Sequence, residues 1–425
     1  MMNNRSLNEQ GIVLVITLWV ILVLSVVSLS YLRQVNLELK MAGFQRDAAV
    51  ADSIAKAGLQ QAIILLREDR IKDSAENIQE TMFRFMDDDV YLYDAGTEVW
   101  ADSPDLLEDV MFYENGDKAG YYFVKIEDES SKFPINNQKV TIEMIAHLLE
   151  MTGVQEKQSK SLAAAIIDWR DGDTIPTDTG EQSYGRDGAD ETSFYNTGRR
   201  SRDKDVPAVI MKNGPIDSID EFLLIPGMTP EIIYGTVEPE QQQDRTRSRS
   251  RRTRRGEYLG LIHYITIYSD TVNLNSVKQE VLESLLYMPL GEDAEHVAEE
   301  WVDYRNGRDN ALYTKDDNVL KTIDNSDLDD VHYTEADGMT EELVTQFGAG
   351  IFTIATKAFS VECLSEYEGI EKGYRAIIGR DFVPWNQLPV FGLDTDKIED
   401  LEQVQLQVRV FEPIFDAKKR IQRYL

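Results

Sequence analysis

The strongest constraint on this chain is an uncharged apolar run near its N-terminus. Residues 12–32 contain no Asp, Glu, Lys or Arg. As an α-helix, a run of this length spans about 30 Å, the thickness of the hydrocarbon core of a bilayer. It is longer than the apolar part of a usual secretory signal peptide, and no small-residue cleavage motif closes it. We therefore predict one membrane-spanning helix, with a cleaved signal peptide as the alternative.

A second helical pattern continues directly from this run over residues 33–71. Small and apolar side chains recur there every three or four residues, and the chain has no proline before Pro104. The pattern predicts one continuous helix from about Ile12 to about Arg70, with a face narrow enough to pack on a sheet. A coiled-coil stalk is the alternative. The stripe consists of Leu37, Met41, Phe44, Ala48, Ala51, Ala55, Leu59, Ala62 and Leu66.

Composition argues against several classes of function. The chain carries 76 acidic and 44 basic side chains, a formal net charge of −32 at pH 7, which disfavours binding to nucleic acid and anionic lipid. The single cysteine, Cys363, allows no intramolecular disulfide, and the four histidines have no zinc-site spacing. Motifs of phosphate loops, serine hydrolases and zinc proteases are absent from the sequence. We predict that the protein is not an enzyme; a glycosidase with paired carboxylates is the alternative.

The middle of the chain contains an internal repeat. The patterns of residues 133–173 and 272–309 each predict a strand end, an Asn-capped helix, a turn, a second helix and an Asp–aromatic–Arg triplet. A Gly-Met-Thr turn follows each copy. The triplets are Asp168-Trp169-Arg170 and Asp303-Tyr304-Arg305.

The repeat predicts two related helical modules, at residues 133–240 and 257–350. Between them, residues 241–256 are rich in arginine. Such a run repels itself and stays solvated, so we predict a disordered linker; binding to DNA or anionic lipid is the alternative.

Strand patterns flank the modules. Residues 119–127 alternate in character, residues 351–382 predict two or more antiparallel strands, and residues 404–412 predict a last strand. The sequence thus predicts an α+β fold, in which a long N-terminal helix packs on a small antiparallel sheet and a large α-helical region of two related modules is inserted. The sheet domain would comprise residues 72–132 and 351–425, the latter including the tail.

The N-terminal part resembles a type IV pilin or a pseudopilin, since a polar leader at residues 1–11 ends in glycine before the apolar run. The resemblance implies that a prepilin peptidase cuts after Gly11 and methylates Ile12. The fifth mature residue is usually glutamate in that family, and Ile16 stands there in this chain. A carboxylate in lipid needs a partner, which in pilins is the N-terminus of the preceding subunit. A subunit with Ile16 needs no subunit ahead of it, as expected at the tip of a filament.

Motifs farther along resemble general secretion pathway protein K, the large minor pseudopilin of type II secretion systems. They are the Ile-Asp-Trp-x-Asp-x-Asp loop at 167–173, the Ser-x-x-Glu-Phe-Leu-x-x-Pro-Gly-Met-Thr segment at 218–229, the Val-Asn-Leu-Asn strand end at 272–275 and the late strand pair. The resemblance implies a pseudopilus subunit at the tip of the filament that helps to initiate its assembly and protein export. The bulky insertion fits this place, because it would clash with neighbours along the side.

The same resemblance implies a single-pass protein of the cell inner membrane with most of its mass in the periplasm. Its expected partners are other minor pseudopilins, the major pseudopilin and the prepilin peptidase, with secreted substrates or the outer-membrane secretin as further ones. The membrane and filament contacts are expected at Ile16, Leu37, Met41, Phe44 and Leu59. One alternative is a minor pilin of a type IV pilus. Another is a membrane-tethered DNA receptor that uses the Pro-Gly-Met-Thr turn as a helix-hairpin-helix; we expect no nucleic-acid partner.

An acidic loop follows the first Asp–aromatic–Arg triplet. Several carboxylates that converge from a flexible loop suit a hard cation with six to eight oxygen ligands. Protein K pseudopilins bind calcium near such a loop, so the resemblance implies a structural Ca²⁺ ion; a solvated acidic loop is the alternative. The candidate ligands are Asp168, Asp171, Asp173 and Glu181. The second copy has Asn306 and Arg308 where the first has Asp171 and Asp173, so we expect it to have lost the metal.

Overall fold

The computed structural model describes residues 5–83, 93–101, 107–114, 117–178, 190–197, 209–236, 259–312, 314–323, 331–380 and 406–414. The predicted linker at 241–256 and most of the predicted tail lie outside these residues. The described residues on either side of that linker, Gly235 and Leu259, are joined by an antiparallel bridge.

The N-terminal helix is a single element, α1 (Arg5–Phe83), of 79 residues. It extends beyond both ends of the predicted helix, because the polar leader and the charged segment after Asp69 contain no proline to stop it. Its apolar part is long enough to cross a membrane, and the described part of the chain buries none of the most apolar window.

Seven α-helices, three of them short, are described: α1, α2 (Ile142–Met151), α3 (Glu156–Arg170), α4 (Glu191–Thr197), α5 (Pro230–Tyr234), α6 (Gln279–Leu290) and α7 (Ala294–Arg305). The described strands are β1 (Val110–Glu114), β2 (Asp117–Asp128), β3 (Phe133–Pro134), β4 (Ile265–Thr266), β5 (Val272–Asn273), β6 (Phe352–Thr353), β7 (Ala358–Tyr367), β8 (Ile370–Arg380) and β9 (Leu406–Pro413).

Five strands form one antiparallel sheet in the order β1-β2-β7-β8-β9. The neighbours β2 and β7 are far apart in sequence, and the helical region lies between them along the chain. Two short parallel pairs, β3 with β4 and β5 with β6, belong to that insert. The predicted fold class, a long helix on a small antiparallel sheet with a helical insertion, is therefore confirmed.

Helix α1 packs on the sheet through its small-residue face. The buried members of this face are Ala51, Ala55, Leu59, Ala62 and Leu66. At Gly58 the helix approaches β2 and β7 so closely that an added Cβ would lie 2.6 Å from Cys363 Sγ and 2.9 Å from a ring carbon of Tyr122. Gly58, which weakens an isolated helix by about 1 kcal/mol relative to alanine, is needed here for close packing.

The first third of the predicted stripe does not pack on the sheet. Leu37, Met41 and Phe44 are 60%, 54% and 61% exposed. The sheet reaches the helix only near Ala51, whose carbonyl accepts a hydrogen bond from Ser365 Oγ at 2.8 Å. Leu59, which we expected to contact other subunits, is instead buried in this chain's own core, so the two ends of the stripe have different surroundings.

The two modules make the same contacts with the repeated residues. Arg170 at the end of α3 donates to the carbonyls of Ile135 and Val140. Arg305 at the end of α7 donates to the carbonyls of Leu274 and Val277. In each module the arginine therefore ties the second helix to the turn that precedes the first helix.

The predicted asparagine caps of the first helix of each module were wrong. The cap positions are Thr141 and Lys278, and neither side chain makes a capping hydrogen bond.

An asparagine of each turn instead makes a second pair of equivalent contacts. Asn136 exchanges two hydrogen bonds with the backbone of Ile216, and Asn275 exchanges two with the backbone of Leu320. The same bonds need an asparagine at the same place in each copy. This requirement explains why the repeat is visible in the sequence.

We predict that Gly58→Ala lowers the melting temperature of the detergent-solubilised protein. Over-packing a tight contact costs about 1–3 kcal/mol, which offsets or exceeds the helix-propensity gain of about 1 kcal/mol. The matched control is Gly43→Ala in the same helix, where no described atom lies within 4 Å of the added Cβ. It should leave the melting temperature unchanged or raise it, and the same positive shift in both variants would contradict the packing argument.

Candidate metal centre

The acidic loop of the first module brings three carboxylates together. Asp168 lies in the last turn of α3, Asp171 directly follows that helix, and Glu191 is the first residue of α4. One carboxylate oxygen of each lies within 4.8 Å of the others. Two of the four predicted ligands therefore meet at one point, together with a residue that the sequence analysis did not name.

Asp168 is buried and orients the loop. Its Oδ1 accepts hydrogen bonds from the backbone N–H of Thr177 at 2.9 Å and from the Thr177 hydroxyl. Its Oδ2 accepts one from the Tyr195 hydroxyl at 2.6 Å, so it joins the loop to α4. Burial raises the pKa of Asp168, and these hydrogen bonds act in the opposite direction.

Asp171 and Glu191 carry carboxylate oxygens that accept no hydrogen bond from the described residues. Among the residues that the structure describes, no donor lies in hydrogen-bonding geometry to the buried Oδ1 of Asp171 or to either buried carboxylate oxygen of Glu191. Glu191 as a whole is 1% exposed. A buried, unpaired carboxylate is costly unless a cation or a proton neutralises it.

The pKa values of these carboxylates likewise indicate that their negative charges need to be neutralised. Burial and the charges of Asp168, Asp171 and Asp173 together raise the pKa of Glu191 to about 7, against a smaller opposing effect of the Asn213 side chain. Burial likewise raises the pKa of Asp171 to about 6, with added repulsion from Asp173 and Asp168. Carboxylates that repel one another at close range are the oxygen ligands that a hard divalent cation prefers. These residues therefore fit the calcium ion that the resemblance implies.

The remaining predicted ligands differ in their placement. Asp173 is exposed, and its Oδ1 accepts the backbone N–H of Ile175 at 2.7 Å, so its side chain shapes the loop. Glu181 lies outside the described residues. Glu191 was missed because it lies ten positions beyond Glu181, the last carboxylate of the predicted set. The available signal was Asp190, whose side chain accepts the N–H of Ser193 at 2.7 Å and so caps α4.

A second acidic group lies at the sheet, where Asp69, Asp94 and Glu98 come within metal-binding distance of one another. There the chain supplies its own cation. The fully buried Arg380 donates to Asp69 Oδ2 at 2.8 Å and to Asp94. This group therefore reads as a structural ion pair between α1 and β8.

The Pro-Gly-Met-Thr turn is a packing element of its module. Gly227 has φ +91°, and an added Cβ would lie 2.8 Å from Leu162 of α3. In the second module Gly338 has φ +82° and faces Val297 of α7 in the same way, at 2.6 Å. The turn thus uses its glycine to approach a helix, and Leu162 and Val297 occupy equivalent places in the repeat.

Comparison with known proteins adds to this geometry. Residues 125–237 match the family model of type II secretion system (T2SS), protein K. Over these residues the chain is similar to the protein K family. The family resemblance read from the sequence is confirmed here, and the matched region holds α2 to α5 and all the carboxylates of the candidate metal centre.

One solved structure with protein K in its name is also similar. A chain of the crystal structure of the GspK-GspI-GspJ complex from the enterotoxigenic Escherichia coli Type 2 Secretion System is 14% identical, with a TM-score of 0.47. The similarity covers 88% of this chain and 99% of that one. No curated protein matches the sequence.

Proposed function

We propose that this chain is a minor pseudopilin of a type II secretion system, anchored in the cell inner membrane by α1 with its remaining mass in the periplasm. The observation that carries the proposal is the continuity of α1. The helix that is apolar and unburied from Ile12 to Leu32 becomes, without a break, the helix that packs on the sheet. The protein K match over residues 125–237 supports the same assignment, and that family is structural rather than enzymatic.

Placement at the tip of the pseudopilus, with a role in starting assembly and export, is the finer part of the proposal. Ile16 supports it, because an apolar residue at this position asks for no charged partner ahead of it. The size of the insert between β2 and β7 supports it too, because a subunit at the tip has free space around its outer end.

The exposed part of the α1 stripe is the proposed contact with neighbouring subunits. Leu37, Met41 and Phe44 lie on one helical face beyond the membrane-spanning run, and this chain's own sheet does not cover them. Helices of other minor pseudopilins and of the major pseudopilin fit such a face. The E. coli structure named above is a complex of GspK with GspI and GspJ. The prepilin peptidase and secreted substrates or the outer-membrane secretin are further proposed partners.

The candidate metal centre is proposed to hold a structural calcium ion. Asp171 and Glu191 supply the unpartnered oxygens, Asp168 and Asp173 fix the loop, and calcium would contribute positive charge where these carboxylates meet. Glu181 remains a proposed additional ligand.

Processing provides one test. Gly11→Val should leave the chain uncleaved, because a β-branched side chain does not fit where the peptidase accepts the smallest residue. Mass spectrometry of the membrane-extracted protein should find a methylated N-terminus at Ile12 in the wild type and in the control Gly43→Val, and an intact leader in Gly11→Val. Retention of Met1 in the wild type beside an active prepilin peptidase would contradict the assignment.

The subunit contact provides a second test. Phe44→Glu should weaken co-purification with other minor pseudopilins from detergent at least about tenfold, which is about 1.4 kcal/mol, since a carboxylate would be buried in an apolar contact. Gln45→Glu, at the exposed neighbouring position, is the matched control and should leave it unchanged. Equal recovery of the partners with both variants would exclude this face, and label spaced along the sides of filaments would exclude the tip.

Calcium binding provides a third test. The full-length protein in detergent should melt at a higher temperature in calcium than in chelator, because a ligand at 100 times its Kd stabilises the folded state by about 2.7 kcal/mol. Glu191→Gln and Asp171→Asn should abolish the difference, whereas Asp309→Asn in the second module should keep it. A wild-type melting temperature that is unchanged by millimolar calcium would contradict the calcium site.

A further inference from the structure

The segments that precede the two Gly-Met-Thr turns can be compared residue by residue. In both modules a short 3-10 helix comes before the turn, Ile219–Leu224 in the first and Tyr333–Glu335 in the second. Counted from the glycines of the turns, Phe222 corresponds to Tyr333, and both residues are fully buried. The two short helices are therefore seated in their modules in the same way.

The next two positions differ between the modules. The first module has Leu223 and Leu224, which are 41% and 61% exposed. The second module has Thr334 and Glu335 at these positions, and both are exposed. The motif thus folds without a leucine pair, so the exposed pair of the first module needs another explanation.

The contact between the short helix and the Asp–aromatic–Arg triplet has also shifted. In the second module Tyr304 donates its hydroxyl to Glu335 Oε2 at 2.8 Å. Its counterpart in the first module, Trp169, donates its indole N–H to Glu221 Oε2 at 3.3 Å. Because Glu221 makes this contact, the first module does not need a carboxylate at Leu224, the counterpart of Glu335.

The leucines adjoin an exposed tyrosine and acidic side chains. Residues three apart in a 3-10 helix lie above one another, which places Leu223 beside Asp220. Asp220 Oδ1 accepts the hydroxyl of Tyr234 at 2.7 Å, and Tyr234 is 42% exposed. Glu231 lies one turn before Tyr234 on the same face of α5 and is exposed. We call Leu223, Leu224 and Tyr234 the leucine patch, and its acidic rim consists of Asp220 and Glu231.

The charge beside the patch selects the kind of partner. The neighbouring Lys212 places its Nζ 2.6 Å from Asp217 Oδ2 and 2.9 Å from Glu221 Oε2, so its charge is balanced within the module. The rim therefore keeps its negative charge. An apolar surface with a negative rim complements apolar side chains that are flanked by lysine or arginine, and it repels acidic peptides and anionic lipid.

We propose that the leucine patch binds a polypeptide segment of another protein in which apolar side chains are flanked by lysine or arginine. Leu223, Leu224 and Tyr234 bury the apolar side chains, and Asp220 and Glu231 pair with the flanking cations. Burial of apolar area supplies the affinity, and the rim supplies the selection by charge. This surface is separate from the exposed face of α1 and from the candidate metal centre.

A photo-crosslinking peptide tests the proposal. The probe is a synthetic peptide that alternates photo-leucine with lysine, and the control peptide has glutamate in place of lysine. After irradiation with the full-length protein in detergent, mass spectrometry should find the lysine probe on residues 219–234 at least about tenfold more than on 331–345. The glutamate peptide should be absent from 219–234. Equal labelling of both modules, labelling of 219–234 by the glutamate peptide, or labelling of α1 alone would overturn the proposal.

A double variant gives the first module the residues of the second. Leu223→Thr/Leu224→Glu should keep the melting temperature and reduce labelling of 219–234 at least about tenfold. Its added negative charge would by itself strengthen binding of a cationic peptide, so the loss reports the missing leucines. Met288→Glu, which replaces an exposed apolar side chain of the second module, is the matched control and should leave labelling unchanged. Undiminished labelling in the double variant would exclude the leucine patch.

Two further measurements separate this partner from other occupants. Labelling by the lysine probe should fall as the salt concentration rises, and Glu231→Gln should reduce that dependence, because salt screens the charge of the rim. Labelling that does not depend on salt would contradict selection by charge. The wild type and Leu223→Thr/Leu224→Glu should sediment at the same rate. A wild type that dimerises where the double variant does not would assign the patch to a second copy of this chain and refute the proposed partner.

Discussion

The contact of α1 with the middle of the sheet is the constraint on which the rest of the molecule depends. Gly58 lets the helix reach Cys363, and the alanines on either side keep that distance short. Arg380 fixes the same pair of elements a second time, because its buried guanidinium bonds to Asp69 of α1 from the end of β8. A helix held at two places along its length resists rolling on the sheet, so the packed part of α1 sets the direction in which its unburied apolar part leaves the sheet.

The insert is coupled to this scaffold through a buried polar junction. Asn273 Nδ2 donates to Asp128 Oδ2 at 3.0 Å, to the carbonyl of Asp94 at 2.9 Å and to Thr356 Oγ1 at 3.1 Å. Asp128 is fully buried, and this burial raises its pKa to about 6. Since Asp128 ends β2 and Thr356 precedes β7, the junction joins both crossings between sheet and insert, and the modules are positioned by the same strands that contact α1.

The sequence predicted the strands and the repeat, because contacts within this chain impose their residue patterns. The alternation in 119–127 marked β2, whose two faces pack in different clusters, with Tyr122 on one and Tyr121 on the other. The repeat could be recognised because Arg170 and Arg305 bond to equivalent carbonyls. The pattern could not show which part of an apolar helix face is covered by the sheet. Phe44 and Leu59 therefore appeared equivalent in the sequence, although Phe44 is exposed and Leu59 is buried. Nor could spacing bring Glu191 to Asp168, because only the fold closes the intervening loop.

The two modules show why duplicated structure need not conserve charge. Arg170 and Arg305 serve the architecture, and both copies retain them. The loop beyond has to be closed, but elementary physics allows more than one closure: a cation among carboxylates, or one carboxylate among backbone amides. Asp316 accepts backbone N–H groups in the second module, whereas the carboxylates of Asp168 and Glu191 face each other in the first.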